Sequence, residues 1–327
     1  MQRVLVTAAF IAFASSSAAS AQTQTTVIEA VSSPAPIDKT TQTEDILFKK
    51  DANDRMTVPV LLSGHGPYRF LVDTGADRTA ISRDLARTLN YATNDTASLH
   101  SVSGVTTVAT ATVPTLQLTR KEIRNISAPV LEGANMGADG ILGVDSLRSQ
   151  RILFDFASNV MSIVPSATPD FKPEPGTIVV QGVRRNGRLV LTEATANDHP
   201  VTVVIDTGSQ VSIGNEALRR VLMGTKMLKA SGQVDLISVT GARITGDYMF
   251  IRELEIGGIG LKDLAIVFAN VHSFKQLRLD KKPAIFLGMN AMRAFKKVSI
   301  DFASRKLRVV VPEQSSLDLR LAAVRLR

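Results

Sequence analysis

Short runs in which apolar and polar residues alternate recur along this chain. Alternation with a period of two is typical of β-strands that bury one face. Gly, Pro and Asn residues separate the runs, as expected for turns. The runs that predict strands most clearly are residues 57–62, 69–72, 108–113, 201–205 and 307–311. The pattern therefore predicts a mainly β protein.

A few short helices are also predicted, at equivalent places in the two halves of the chain. Ser82 can cap a helix over residues 83–89, and Asn215 can cap one over 216–223, since both side chains are good acceptors for free N–H groups. Further short helices are predicted over 144–149 and 289–295.

The chain contains an internal repeat. Four short motifs occur twice in the same order: Asp-Thr-Gly at 73–75 and 206–208, Ser-Val-Ser/Thr-Gly at 101–104 and 238–241, Ile/Phe-Leu-Gly at 141–143 and 286–288, and Asp-Phe-Ala-Ser at 155–158 and 301–304. Their separation grows along the chain, as small insertions in the second copy would cause. The repeat predicts two homologous lobes, residues 45–165 and 177–312, joined by a linker at 166–176.

Residues 1–21 have the three parts of a secretory signal peptide. Arg3 supplies a positive charge, residues 4–14 are apolar, and Ala19-Ser20-Ala21 is a small-residue cleavage site. The serines at 15–17 end the apolar run too early for a membrane anchor. We therefore expect an exported protein, periplasmic or secreted, without stable membrane insertion.

The segments that flank the lobes are predicted to be less ordered. Residues 22–44 are rich in Gln, Thr, Ser and Pro and predict a disordered leader or linker, with a propeptide role left open. Residues 313–327 form a C-terminal tail, whose alternating pattern leaves dimerisation through an added strand open.

Composition excludes several kinds of chemistry. The chain has no cysteine, which rules out disulfides, thiol catalysis and cysteine-bound metal. Its four histidines lack the spacing of metal ligands, and no Gly-x-Ser-x-Gly motif is present. The net charge of +8 is scattered rather than gathered into a stripe with aromatic residues, so nucleic-acid binding is not predicted. No cofactor is expected.

Each Asp-Thr-Gly motif places an acid at the end of a strongly apolar run. Asp73 follows Phe-Leu-Val, and Asp206 follows Val-Val-Ile. A buried carboxylate is costly unless it is hydrogen-bonded or protonated, so two of them at equivalent positions indicate a joint use. The Gly after each Thr allows a tight turn that brings an amide onto the carboxylate.

These residues resemble the aspartic peptidases of the retropepsin and pepsin group, over about residues 45–312. The resemblance implies that Asp73 and Asp206 share a proton and activate a water between them. It also implies roles for the residues around the dyad. Loop support would come from Thr74, Gly75, Ala76, Thr207, Gly208, Ser209, Gly143 and Gly288, and the tips of two substrate-covering flaps would contain Gly104 and Gly241.

The fold implied is two retropepsin-like β lobes related by a pseudo-twofold axis, with the active site between them, as in a fused retropepsin dimer. The expected activity is hydrolysis of peptide bonds in a polypeptide substrate. A non-catalytic peptide-binding protein of the same fold is the alternative. Because one chain holds both loops, a monomer is expected. The Ser209 hydroxyl, which Ala76 lacks, predicts that Asp206 is the ionised partner and Asp73 holds the proton.

Overall fold

A computed structural model describes residues 10–12, 45–47, 49–50, 56–93, 95–118, 121–224 and 228–312 of the 327-residue chain. Most of the predicted signal peptide, the leader at 22–44 and the tail at 313–327 lie outside the described residues. In the part of the chain that is described, no helix is both long enough and apolar enough to cross a membrane.

The first half of the chain is built almost entirely of strands. Its strands are β1 (Phe10–Ala12), β2 (Asp45–Leu47), β3 (Lys49–Lys50), β4 (Met56–Leu62), β5 (His65–Val72), β6 (Ala80–Ser82), β7 (Asp95–Ser101), β8 (Gly104–Leu118), β9 (Lys121–Leu131), β10 (Gly140–Leu142), β11 (Gln150–Asp155) and β12 (Val160–Pro165). Its helices are α1 (Arg83–Thr88), α2 (Gly133–Met136) and α3 (Val144–Leu147).

The second half follows the same plan. Its strands are β13 (Thr177–Gln181), β14 (Val183–Arg185), β15 (Arg188–Leu191), β16 (Ala194–Ala196), β17 (His199–Pro200), β18 (Thr202–Ile205), β19 (Ser212–Gly214), β20 (Leu228–Ile237), β21 (Arg243–Ile256), β22 (Ile259–Phe268), β23 (Ala284–Leu287), β24 (Lys297–Asp301) and β25 (Lys306–Val310). Its helices are α4 (Glu216–Gly224), α5 (His272–Gln276) and α6 (Met289–Met292).

Each half has a sheet of its own, with β1 from the first half added at the edge of the second sheet, and the structure confirms a mainly β fold. The first sheet has the order β3-β4-β5-β10-β6-β9-β8-β7. The second has the order β1-β20-β21-β22-β19-β23-β18-β15-β14, with β16 and β17 attached beside β21. In both sheets the strand that leads to an Asp-Thr-Gly loop pairs in parallel with the strand that ends in Leu-Gly, β5 with β10 and β18 with β23.

A third sheet joins the two halves. Its order is β13-β25-β24-β11-β12-β2, and its centre is the antiparallel pair of β11 and β24, one from each half. The repeated Asp-Phe-Ala-Ser motif ends these two strands. Asp155 accepts a hydrogen bond from the Ser158 N–H at 2.9 Å, and Asp301 accepts one from Ser304 at 2.9 Å. The repeated acid therefore closes a tight turn in each half.

Ion pairs hold the inter-lobe linker against this shared sheet. Glu174 accepts hydrogen bonds from Lys297 at 2.6 Å and Lys296 at 2.9 Å. Asp170 lies between the guanidinium groups of Arg151 and Arg308, at 3.4 and 3.3 Å. The linker therefore helps to fix one lobe relative to the other.

The structure confirms both predicted caps. The Leu85 N–H donates to Ser82 Oγ at 3.1 Å, and the Leu218 N–H donates to Asn215 Oδ1 at 2.9 Å. The other two predicted helices are shorter than expected, since α3 and α6 are single turns of four residues. Neither has a side-chain cap at its N-terminus, where Gly143 and Gly288 stand.

Candidate active site

The two Asp-Thr-Gly loops lie at the interface of the lobes and have matching backbone contacts. The Asp73 N–H donates to Leu142 O, and the Asp206 N–H donates to Leu287 O, both at 3.0 Å. The residue that follows each motif accepts a backbone hydrogen bond. Ala76 O accepts one from the Val144 N–H at 2.9 Å, and Ser209 O accepts one from the Met289 N–H at 2.8 Å. The strand that ends in Leu-Gly therefore fixes each loop from behind.

Gly143 and Gly288 make this close approach possible. A Cβ atom added to Gly143 would lie 2.4 Å from the backbone carbon of Arg78, and one added to Gly288 would lie 2.6 Å from that of Val211. Both contacts are far too short for a real side chain. Only glycine fits at these two positions, which is the role that the sequence resemblance implied for them.

The two threonines bind the loops to each other. The Thr74 N–H donates to Thr207 Oγ1 at 3.1 Å, and the Thr207 N–H donates to Thr74 Oγ1 at 3.0 Å. Each hydroxyl in turn donates to a carbonyl of the opposite lobe, Thr74 to Ile205 O at 2.9 Å and Thr207 to Val72 O at 2.7 Å. Four buried hydrogen bonds therefore hold the two halves of the site in register.

The two carboxylates are buried, and each lies against the opposite loop. Oδ1 of Asp73 accepts the Gly75 N–H at 2.8 Å, and Oδ1 of Asp206 accepts the Gly208 N–H at 3.0 Å. A Cβ on Gly208 would lie 2.3 Å from Cγ of Asp73, and one on Gly75 would lie 2.5 Å from Oδ1 of Asp206. Each acid therefore occupies the space that a side chain on the opposite glycine would take.

Burial and proximity raise the pKa of Asp206 well above its ordinary value. Burial is the larger cause and the charge of Asp73 the second, while Arg188 and the backbone N–H groups of Gly208 and Ser209 oppose the rise. Among the described residues, Oδ2 of Asp206 has no hydrogen-bond partner. The pair therefore retains a proton at a pH where an isolated Asp is ionised.

The structure does not support the reason drawn from Ser209 for making Asp206 the ionised partner. Its hydroxyl donates to Val211 O at 2.6 Å and does not serve as a donor to Asp206. The contribution of Ser209 to the dyad comes from its backbone N–H, a donor that every residue except proline has. The difference between Ala76 and Ser209 therefore gives no reason to make Asp206 the ionised partner.

The raised pKa predicts that Asp206→Asn stabilises the folded protein at neutral pH. The pKa of this acid is higher in the folded state than in the unfolded state, where it is about 3.9. Its contribution to stability is therefore fully present below about pH 3.9 and is lost as the pH rises through the pKa of the folded state. The amide of the variant cannot ionise, so it avoids that loss. Thermal unfolding should show a gain of several degrees at pH 7.5 that shrinks at pH 3.5, since 1 kcal/mol corresponds to about 2–4 °C at this size. An equal loss of stability at both pH values would contradict the prediction.

A buried arginine from the second lobe supports the first loop. Arg188 is 3% exposed, and its Nε donates to Gly75 O at 2.7 Å. Its Nη1 lies 2.8 Å from Oδ1 of Asp77, whose Oδ2 accepts a hydrogen bond from Gln276 Nε2 at 2.9 Å. Gln210 stands at the equivalent position of the second loop, so the two sides of the site differ. Sequence reasoning missed this group, and only the place of Asp77 two residues after the first motif pointed to it.

Two β-hairpins lie over the site. The first flap is the β7–β8 hairpin and the second flap is the β20–β21 hairpin. Ser103 Oγ donates to Ser238 Oγ at 3.2 Å, so the two tips touch. Gly104 and Gly241 lie in the turns with φ of 138° and 84°, in the backbone region that favours glycine. Val102 and Val239 point from the tips into the apolar cluster around the loops, and the site is closed from above.

A cavity of about 330 Å³ lies beneath the first flap, next to the Asp73 loop. Its wall is largely apolar, and Asp77, Arg188 and Gln276 form a polar end. The apolar lining comes from the first lobe and from the tip of the second flap, and includes Ala97, Leu99, Leu131, Ile141 and Val239. The cavity can hold an apolar side chain next to the Asp73 loop. No cluster of three or more His, Asp or Glu side chains suited to a metal occurs in the described part of the chain.

Two lobes that each supply an Asp-Thr-Gly loop, tied together by their threonines beneath paired flaps, define an aspartic peptidase fold and site. Residues 58–149 match a family model described as gag-polyprotein aspartyl protease, and residues 192–291 match a second family model, described as aspartyl protease. The chain therefore belongs to the aspartyl proteases, as a two-lobed, retropepsin-like member. A search of curated proteins finds no match to it.

Proposed function

We propose that this protein is an exported aspartic endopeptidase that uses Asp73 and Asp206 to hydrolyse peptide bonds. The observation that carries the proposal is the buried dyad, in which each carboxylate lies against the glycine of the opposite loop and the pKa of Asp206 is raised. Such a pair holds one proton and one negative charge over a wide pH range. It therefore offers a base and an acid at the same place.

In the proposed reaction the ionised carboxylate accepts a proton from a water molecule, which attacks the peptide carbonyl carbon. The protonated carboxyl of the pair donates a hydrogen bond to the carbonyl oxygen as that oxygen gains negative charge. Collapse of the tetrahedral intermediate breaks the C–N bond, and the amine leaves with a proton from the dyad. Each loop supplies one of the two carboxylates, which explains why both copies of the motif are needed.

The position of the two flaps over the site supports the proposal that the substrate is an extended polypeptide. A peptide in the cleft would lie between the loops and the flap tips, with one side chain in the cavity beneath the first flap. Because both loops come from one chain, we propose that the monomer is active, and activity per mole should stay constant on dilution. Export rests on the sequence of residues 1–21, and N-terminal sequencing of protein from the cell envelope should give Gln22 as the first residue.

The direct test is cleavage of a peptide library by the purified protein between pH 3 and 8, with products identified by mass spectrometry. We expect internal cleavage that a statine-type transition-state mimic inhibits, because its hydroxyl takes the place of the attacking water between the carboxylates. Binding of peptides without cleavage at any pH would instead identify the protein as a peptide-binding member of the fold.

The cavity beneath the first flap predicts a specificity variant. In Ala97→Phe the new ring would occupy part of the cavity, so cleavage of peptides with a large apolar side chain at that subsite should fall at least about 10- to 100-fold, the usual effect of even one methylene group in a pocket. Peptides with Ala or Gly at that subsite should be cleaved nearly as before. Thr107→Phe, exposed on the same flap and outside the cavity lining, is the matched control. Equal losses for large and small side chains would contradict the assignment.

A further inference from the structure

A pair of histidines connects the first flap to the opposite lobe. His100 lies on β7, and His272 is the first residue of α5 in the second lobe. His100 Nδ1 and His272 Nε2 are 3.0 Å apart, and the rings are stacked with centroids 5.2 Å apart and planes 23° apart. The His272 N–H also donates to Val102 O at the flap tip, at 2.8 Å. Helix α5 therefore holds the flap at one titratable contact and one backbone contact.

We propose that His100 and His272 form a latch that keeps the first flap closed at neutral pH and releases it in acid. The role of the flap in covering a peptide rests on the function proposed above, whereas the opening of the latch does not.

The chemistry of two imidazoles explains why the contact depends on pH. A ring nitrogen can accept a hydrogen bond only when it carries no proton, so the pair forms when at least one ring is neutral. When both rings are protonated, both facing nitrogens carry N–H groups and the two positive charges repel. Of the two hydrogen bonds described between α5 and the flap, the backbone bond from His272 to Val102 then remains.

The groups around His272 determine the pH at which the latch opens. Partial burial, then the charges of His100 and Lys275, lower the pKa of His272. In the open state His272 would regain a pKa of about 6.5. Protons therefore bind the open state better, and the latch is fully formed above about pH 6.5 and lost as the pH falls through the lowered value. For each unit by which closure lowers the pKa, acid can shift the ratio of open to closed flaps about tenfold.

Few other charges face the two rings. Strand β8, which packs beside them, carries no charged residue between Gly104 and Leu118. The charged groups on neighbouring elements include Lys275 on α5, Asp95 at the far end of β7, Glu122 and Arg124 at the far end of β9, and Asp77, Arg78 and Arg188 across the cavity that His100 also lines. Asp77 is already paired with Arg188 and accepts a hydrogen bond from Gln276, so its negative charge is largely compensated by these side chains and acts only weakly on the two histidines.

The absence of cysteine makes a direct measurement of the flap straightforward. Spin labels on Thr106→Cys, exposed on the flap, and Lys281→Cys, exposed just after α5, would report the distance across the latch. We expect one short distance at pH 7.5 and a longer population at pH 4.5. His272→Gln and His100→Gln should each abolish this change, since an amide does not titrate in this range. His65→Gln, an exposed histidine on β5, should leave it intact.

A second readout tests the effect on a bound peptide. In the Asp206→Asn background, the dissociation rate of a fluorescent peptide should rise about tenfold or more between pH 7.5 and 4.5, because the flap must open for the peptide to leave. His272→Gln should flatten this dependence. Distances that do not change with pH, or a change that persists in both Gln variants, would overturn the latch. If the labels move as expected but no peptide binds, the latch stands and the proposed function fails.

Discussion

Replacing either Asp73 or Asp206 by Asn is expected to lower the rate of peptide cleavage by about 10²–10⁴-fold while the protein stays folded. The loss has this size because each variant removes one partner of a general acid–base pair. Asn has the shape of Asp, so the hydrogen bonds from Gly75 and Gly208 to Oδ1 remain possible. Steady-state kinetics with one peptide found in the library experiment would measure the loss.

The matched control for these two variants is Asp155→Asn. Asp155 is 1% exposed and, like the dyad acids, accepts a backbone hydrogen bond from a residue that follows it, but it lies at the end of β11 in the shared sheet. Its replacement should leave cleavage within about twofold of wild type, as expected for a residue that touches no reacting atom. If Asp73→Asn or Asp206→Asn also retained near wild-type turnover, the peptidase assignment would fail.

The parts of the fold that the sequence predicted well are those encoded locally. Ser82 and Asn215 mark their helices because a side-chain acceptor next to a helix start acts within three residues. The two Asp-Thr-Gly motifs were recognisable for a similar reason, since the acid, the threonine and the glycine are adjacent in the chain. Because the motif is duplicated, the sequence also indicated that the two carboxylates occupy equivalent positions in the two lobes.

The parts that the sequence did not predict depend on partners far along the chain. The pairing of β11 with β24 joins residues about 146 positions apart, and alternation of polar and apolar residues does not specify which strand pairs with which. Arg188 reaches Gly75 and Asp77 across the lobe interface, so nothing near it in sequence marks its role. Helix α5 has only five residues and no side-chain cap, so long-range packing stabilises it, through Phe274 against Phe286 and through the contacts of His272 with the first flap.

Gly208→Ala tests whether the carboxylate of Asp73 lies directly against the loop of the opposite lobe. The new methyl group would lie 2.3 Å from Cγ and 2.4 and 2.5 Å from the two oxygens of Asp73, so either the carboxylate or the loop must move. A displacement of about 1 Å at a catalytic group can reduce the rate about 10²-fold, and the added bulk should cost about 1–3 kcal/mol of stability. Both effects should appear together, as a loss of cleavage and a lower melting temperature.

The control for this variant is a glycine with an ordinary backbone and free space. Gly260 lies on β22, and a Cβ there would meet only the side chain of Glu253, at 3.5 Å. Gly260→Ala should therefore leave both cleavage and stability close to wild type. The equivalent change in the other loop, Gly75→Ala, should repeat the loss, because its methyl group would lie 2.5 Å from Oδ1 of Asp206. A fully active Gly208→Ala would mean that the carboxylates do not meet the opposite loops closely, and the paired dyad would have to be abandoned.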